Sequence, residues 1–493
     1  MKKLIKENYL IKNTLILIIT NIIIKILSLL NRIIITRVLG QDGISLYVLI
    51  LPTIMLLLTI SSFSLNISVS RIVATNQKTN KYSHKEILKK AIIIGLYSCL
   101  ITLIIFSLTI RFISIYLLKQ IDTFIPLIIS MTIIPLAMFN SVFRGFFNGL
   151  DNIKTSSIST LIEQISRMLI SIILFIIFID KGIVFSVSIT IISMTVGELI
   201  SLIYNLISLK KHKLITNNMS SSNLITKDLL NLSFSQTLTH LASNITLFIE
   251  PIIYNYALTL NNYSNDEIMY RYSEVSAYAL PLLSMFSFIS MSIGTVVLPI
   301  ISKNKYNEKA KSLTATAIKL SFIPSIILSV LLFYYGDKYM FFLYNSTNGS
   351  IFVKEYSFIY MFFYVTPILN SILIAHNKER KVLKISIITN IIKTLLIFLL
   401  SFIKIITYKS LFIAIIISNS IQLISTFIYL YKLIKFKILF KDIFLLIIIF
   451  SSTFYIVYLL KHFNVNYIIS SIITCIIYLY IIKKSNLARL NNK

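Results

Sequence analysis

Apolar stretches of about 20 residues recur from one end of the sequence to the other, separated by short connections rich in Lys, Asn and Ser. A helix rises 1.5 Å per residue, so each stretch matches the hydrocarbon thickness of a bilayer. The pattern predicts about fourteen spans, starting near residues 13, 44, 88, 122, 158, 183, 229, 276, 313, 355, 383, 410, 442 and 465. No polar stretch is long enough to fold as a separate soluble domain, so the predicted fold class is an all-α integral membrane protein. The basic start "MKKLIKENY" resembles that of a secretory signal. The apolar run behind it is too long and lacks a small-residue cleavage site, which makes it the first span.

Composition agrees: 56% of the 493 residues are hydrophobic and the mean hydropathy is +0.85. A net charge of +29 raises nucleic acid as a partner, but the distribution of that charge argues against it. Tallied over alternate connections, 33 Lys and Arg fall on one side and 10 on the other, with four inside spans. The richer side takes the clusters from Lys2 to Lys12, Arg71 to Lys90, Arg144 and Lys154, Lys210 to Lys227, Lys303 to Lys319, Lys378 to Lys384, Lys432 to Lys441 and Lys483 to Lys493. Such asymmetry is an orientation signal and predicts a cell-membrane protein with both termini cytoplasmic. The 28 Tyr, with no Trp, are expected to supply interfacial anchoring. Cys99 and Cys475 each fall within a span and read as buried thiols without disulfide or metal. No metal-ligand cluster, nucleophile elbow or phosphate-cradling glycine loop is present in the sequence, so neither an enzyme nor a bound cofactor is expected.

Two segment pairs point to an internal repeat. "YVLILPTIMLLLTISSFSLNISVSR" from Tyr47 resembles "YALPLLSMFSFISMSIGTVVLPIISK" from Tyr278 in its Tyr, its early Pro, its Ser-rich middle and its basic exit. "KTSSISTLIEQISRMLI" from Lys154 aligns without a gap on "KVLKISIITNIIKTLLI" from Lys381. Both pairs are six spans apart, which predicts two parallel six-helix lobes, residues 1–210 and 211–437, followed by two additional spans and a cytoplasmic tail over 438–493.

Charges inside the spans carry the candidate chemistry. Lys25, Arg32, Arg167 and Lys393 lie there with Glu163, Glu198 and Glu250. An ionised group at the bilayer centre costs about 3 kcal/mol on insertion scales, so each is expected to face the bundle or water. Counting from the predicted span ends puts Lys25, Arg167 and Lys393 at a similar depth, roughly 14 to 18 Å. Two readings stand side by side for Glu163 and Arg167: a self-neutralising i,i+4 pair, or a wall of a cationic site. Lys25, Arg32 and Lys393 have no acidic neighbour at helical spacing. Each needs either a partner on another helix or a water-filled cavity for an anionic ligand, where Arg offers a fork and Lys a point charge. His240 and Asn244 share a face of the seventh span, and His240 reads as either a satisfied interior residue or part of the site. Glu198 and Glu250 are candidates for binding a coupling Na+ or H+, or for pairing with the basic residues.

The stretches "FRGFFNGLDNIKTSSISTLIEQISRML", "KILSLLNRIIITRVLGQDGISLYVLILPTIMLLLT" and "MYRYSEVSAYALPLLSMFSFISMSIGTVVLPIISK" resemble the fourth-to-fifth, first two and eighth spans of the stage V sporulation protein B group. That group belongs to the multidrug/oligosaccharidyl-lipid/polysaccharide exporter superfamily, and the resemblance covers most of residues 15–400. It implies a V-shaped pair of lobes working by alternating access, among relatives that flip undecaprenyl-diphosphate-linked saccharides, including lipid II. Basic residues of the first span line the central cavity of lipid II flippases, and Lys25 and Arg32 fit that pattern. Ser28 stands where the group often has Gly.

The expectation is therefore a flippase carrying a lipid-linked anionic glycan outward, with Lys25, Arg32, Arg167 and Lys393 meeting its diphosphate. Glu163, Glu198, His240, Asn244 and Glu250 would support it or couple it to Na+, H+ or the membrane potential. Membrane lipids and cell-wall synthesis proteins are the other expected partners. A cation-coupled drug exporter of the same fold and a non-transporting scaffold for wall synthesis are the rivals.

Overall fold

The computed structural model describes residues 2–79, 82–211, 222–303, 307–436 and 439–485, which form helices and connections without a strand. Lys81, Lys213, Lys305, Lys437, Arg489 and Lys493 of the charge tally lie outside the described residues. By packing, the chain divides into two compact units, Met1–Tyr270 and Arg271–Lys493.

The first unit contains α1 (Lys2–Ser62), α2 (Leu65–Thr79), α3 (His84–Phe112), α4 (Phe124–Ser130), α5 (Ile133–Gly149), α6 (Ile153–Phe178), α7 (Ile183–Lys211) and α8 (Ser222–Leu260). A further helix, α9 (Asn265–Ser273), runs across the division. The second unit continues with α10 (Leu280–Leu283), α11 (Ser287–Lys303), α12 (Glu308–Tyr344), α13 (Ser350–Phe363) and α14 (Thr366–Ala375). It ends with α15 (Glu379–Ser401), α16 (Ser410–Ile434), α17 (Phe440–His462) and α18 (Tyr467–Ser485). Among the described residues ten helical segments are long and apolar enough to cross a membrane, or twelve if each of two bent pairs counts as one span. One of the ten, Ile19–Gln77, has 59 residues. At 1.5 Å per residue that is close to 90 Å of helix, enough for two crossings of a core about 30 Å thick.

That long segment turns at Gly40, whose φ of 63° and ψ of −165° are non-helical. Glycine takes this positive φ without a Cβ penalty. The turn has a consequence for the interior. Tyr47, 8% exposed, comes within electrostatic reach of Arg32. In an unbroken helix fifteen residues would separate them by roughly 22 Å. A second break follows at Phe63 and Ser64, both with positive φ.

The broken second span is tied to α8 by a ladder of short polar contacts. The hydroxyls of Ser68 and Ser233 lie 2.7 Å apart, Thr237 donates to Ser64 at 3.2 Å, and the Asn244 amide donates to Thr59 at 2.6 Å. Partner numbers fall as α8 residue numbers rise, so the two segments run antiparallel. The sequence repeat places this seventh span at the head of the second half, whereas its packing joins it to the first unit.

In the second unit, α11, α14 and α16 share an apolar core around Ile368, Leu369 and Ile372. The two C-terminal helices pack on α12 through Val330, Tyr335, Val457 and Tyr478. Tyr335 donates to Ser470, and Lys319 donates to Asp442 at 2.9 Å with its side chain only 2% exposed. Lys319 is therefore an interior residue of α12, not the connection residue that the charge tally assumes. Arg144, inside α5, needs the same correction. Removing both from the tally leaves 31 basic residues against 10.

Candidate functional site

The charged centre of the first unit is built where α5, α6 and α7 meet. The close approach of α6 and α7 depends on Gly197, because a Cβ there would stand 2.9 Å from the Glu163 carbonyl oxygen and 3.3 Å from Arg167 Cβ. Any larger residue would push α7 away from the turn that carries both charges.

Glu163, a buried residue on α6, accepts from two guanidiniums. Arg167 Nη2 donates to Oε1 at 2.6 Å and Arg144 Nη2 donates to Oε2 at 2.9 Å. Gln164 adds a third donor to Oε1 at 3.2 Å. The i,i+4 pair expected from the sequence exists, but it is one half of a triad. Arg144 is held further by Ser159 Oγ at 3.0 Å and Ser201 Oγ at 2.7 Å. Arg167 is held less: its Nε is buried without an acceptor among the described residues. An arginine left with an unused N–H can offer it to an anion, the geometry that suits phosphate.

Beside the triad a second carboxylate is held by amides. Asn140 donates to Glu198 Oε2 at 2.6 Å and to its backbone oxygen at 2.8 Å, and Asn205 donates to Asn140 at 2.8 Å. Glu198 lies within electrostatic reach of Glu163, Arg144 and Arg167. Low local dielectric makes such a network stabilising only when its members are satisfied, and one atom, Asn205 Oδ1, has no donor among the described residues.

Helix α1 packs against this corner. Asn31 accepts from Ser171 of α6 at 3.2 Å, which ties α1 to α6 one turn beyond Arg167. The buried Tyr47 is within electrostatic reach of both Arg32 and Arg167. Lys25, two turns earlier, is exposed, and Arg32 is half-buried. In the span interiors of α1, α5, α6 and α7, the cations Lys25, Arg32, Arg144 and Arg167 outnumber the carboxylates Glu163 and Glu198.

The remaining candidates fall elsewhere. His240 is exposed on α8, and Asn244 is engaged with Thr59. Glu250 is buried at 7% in α8. Lys393 is buried at 7% in α15 of the second unit, next to Thr389 and Thr394 in the same helix. Arg144, Asn140 and Ser201 were missed by sequence reasoning. The available signal for Arg144 was its setting among Phe143, Phe146 and Phe147, apolar neighbours that a residue of a solvated connection does not need. A cavity of about 530 Å³ elsewhere in the first unit is lined by Asp42, Asp122, Asp266 and Glu267; its acidic wall does not suit an anion.

A sequence profile for polysaccharide biosynthesis protein matches residues 10–305, more than half of the chain. The chain belongs to this family. Within it and around it, the chain is 27% identical to stage V sporulation protein B of Bacillus subtilis (strain 168) over 406 residues, covering 80% of this chain and 78% of that one. It is 26% identical to the sporulation protein YkvU of the same strain over 302 residues, covering 60% of this chain and 66% of that one. Among solved structures, lipid II flippase MurJ in an inward closed conformation superposes with a TM-score of 0.70 at 18% identity, over 96% of this chain and 99% of that one. An inward-facing multidrug resistance transporter of the MATE family in the MOP superfamily gives 0.56 at 15% identity, over 85% and 98%. The family member described here is thus a multi-pass membrane protein with the fold of these transporters. The names these relatives carry are those of sporulation proteins, a flippase and a transporter, and none is an enzyme's.

Proposed function

We propose that the chain flips a lipid-linked anionic saccharide, of the undecaprenyl-diphosphate class used for cell-wall or spore-cortex precursors, to the outer leaflet by alternating access. The observation that carries this reading is Arg167, pinned to Glu163 through one nitrogen while another buried N–H stays unused among the described residues, with Arg32 and Arg167 both within electrostatic reach of Tyr47. A diphosphate supplies the acceptors such a centre lacks, and Lys25 adds a point charge along the same helix as Arg32. Lys393, next to the position that matches Arg167 in the repeat, is the second unit's own candidate for meeting an anion. With both termini cytoplasmic, the membrane potential favours moving an anion outward, by about 2.3 kcal/mol per charge per 100 mV.

Complementation of a strain depleted of its lipid II flippase tests the reading, with Lys25→Ala, Arg32→Ala, Arg167→Ala and Lys393→Ala alongside the parent. Rescue by the parent and loss in Arg167→Ala and Arg32→Ala at normal expression is the expected result. Full rescue by all four variants removes the cationic site as the carrier of transport. Failure of the parent removes lipid II as the substrate.

One observation favours a second reading, a cation-coupled exporter on the same fold: Glu198 is a buried carboxylate bonded to an amide, with no guanidinium within hydrogen-bond distance among the described residues. Transport of a cationic dye that collapses in Glu198→Gln, with no response to diphosphate lipids, would decide for it.

A further inference from the structure

We propose that Arg144 is a positioning residue whose task is to keep Glu163 paired when Arg167 turns to the substrate. The proposal rests on the flippase reading and names a residue which that reading does not use.

The two arginines on Glu163 are built differently. Arg144 is clamped from three directions, by Glu163 Oε2 at 2.9 Å, Ser159 Oγ at 3.0 Å and Ser201 Oγ at 2.7 Å. Those hydroxyls are themselves fixed: Ser201 donates to the Ser159 carbonyl at 3.1 Å, and both residues are fully buried. Arg167 has a single side-chain bond among the described residues, to Glu163 Oε1, and its Nε has none. One guanidinium is therefore anchored and the other is held by a single contact.

Glu163 is both the anchor of Arg167 and its competitor for an incoming phosphate, because the carboxylate already occupies Arg167 Nη2. Stranding a buried carboxylate is strongly unfavourable. With Arg167 as its sole cation, Glu163 would hold Arg167 against any ligand. With Arg144 fixed on the other oxygen, Glu163 keeps an ion pair and Arg167 can exchange partners. The pair Arg144–Glu163 works as a resident counter-ion couple, and Arg167 supplies the transferable charge. Arg144 does not touch the diphosphate.

The full-length protein in lipid nanodiscs tests this, with undecaprenyl diphosphate as the probe and uncharged undecaprenol as the control, on preparations matched for folded monodisperse protein. The parent is expected to prefer the diphosphate. Arg144→Gln is expected to weaken diphosphate binding tenfold or more and to leave undecaprenol binding unchanged, because Glu163 then retains Arg167. Adding Glu163→Gln removes the competing charge, so the double variant is expected to bind within threefold of Glu163→Gln alone. Parent-like affinity in Arg144→Gln overturns the proposal and leaves the flippase reading standing. No preference for the diphosphate in the parent overturns both. Should Arg144→Gln fail to fold, the double variant strands no buried carboxylate and is compared with Glu163→Gln directly. A tenfold difference there would mean that Arg144 meets the ligand itself, and would overturn the positioning role.

Discussion

The α5, α6 and α7 corner of the first unit and the α14, α15 and α16 corner of the second are related by the repeat, yet their interiors differ. In both, the helix carrying the site packs on its successor, α6 on α7 and α15 on α16. Asn140-Ser141 on α5 has a counterpart in Asn370-Ser371 on α14. Chemistry separates them. The Asn140 amide holds Glu198, whereas Asn370 Oδ1 is buried without a donor among the described residues. Where the first corner has Glu163 and Arg167, the second has Asn390 and Thr394, with Lys393 one residue before the last, and matching Asn140-Ser141 to Asn370-Ser371, three residues out of that register, sets Ile374 against Arg144. Helix packing needs only complementary apolar surface and tolerates drift in either half. A charged network loses its value when one member is lost, so it is kept whole or replaced whole.

The comparison can be broken most severely in the second unit, away from its repeat-related corner. Lys319→Met leaves Asp442 without its buried partner and is expected to destabilise by about 3 to 5 kcal/mol, read as a loss of thermal stability in detergent, whereas Lys319→Met/Asp442→Leu recovers most of it. Next in size, Glu163→Ala sets two guanidiniums against each other and is expected to cost about 3 kcal/mol, while Asn390→Ala at the matching position is expected to cost under about 1 kcal/mol. Equal losses at the two positions would erase the asymmetry. Gly197→Ala forces α7 from the Glu163 carbonyl and should cost about 1 to 3 kcal/mol, together with a drop in complementation. Smallest is the exposed pair Lys311–Glu308, where Lys311→Ala is expected to change stability by under about 0.5 kcal/mol. A large effect there would show that surface pairs, and not the interior network, carry the electrostatic stability.

Much of the fold, and half of the charged triad, is legible in the order of residues alone. The spans follow from the length of apolar runs, and Glu163 with Arg167 follows from helical spacing, since residues four apart share a face. Arg144 is not legible in that way. It lies nineteen residues before Glu163, on another helix and five residues from the end of α5, where a hydropathy count places it in a connection. Lys319 fails for a related reason: eight residues beyond Lys311, it reads as the last of a basic cluster, whereas its side chain is enclosed and paired with a residue 123 positions away. The turn at Gly40 is visible as a glycine, but its effect of returning Tyr47 to the level of Arg32 is not.

The sequence by itself determined a membrane protein of apolar helices, a repeat, an asymmetric charge distribution and one ion pair within a helix. Each of these is a property of periodicity or composition, which needs no knowledge of neighbours. Tertiary structure alone decided that Glu163 serves two arginines, that Asn140 rather than a cation holds Glu198, and that Lys319 is interior. Those are contacts between helices, set by how closely α6 and α7 approach at Gly197 and by which side chains α5 and α17 then present. No local pattern encodes that distance.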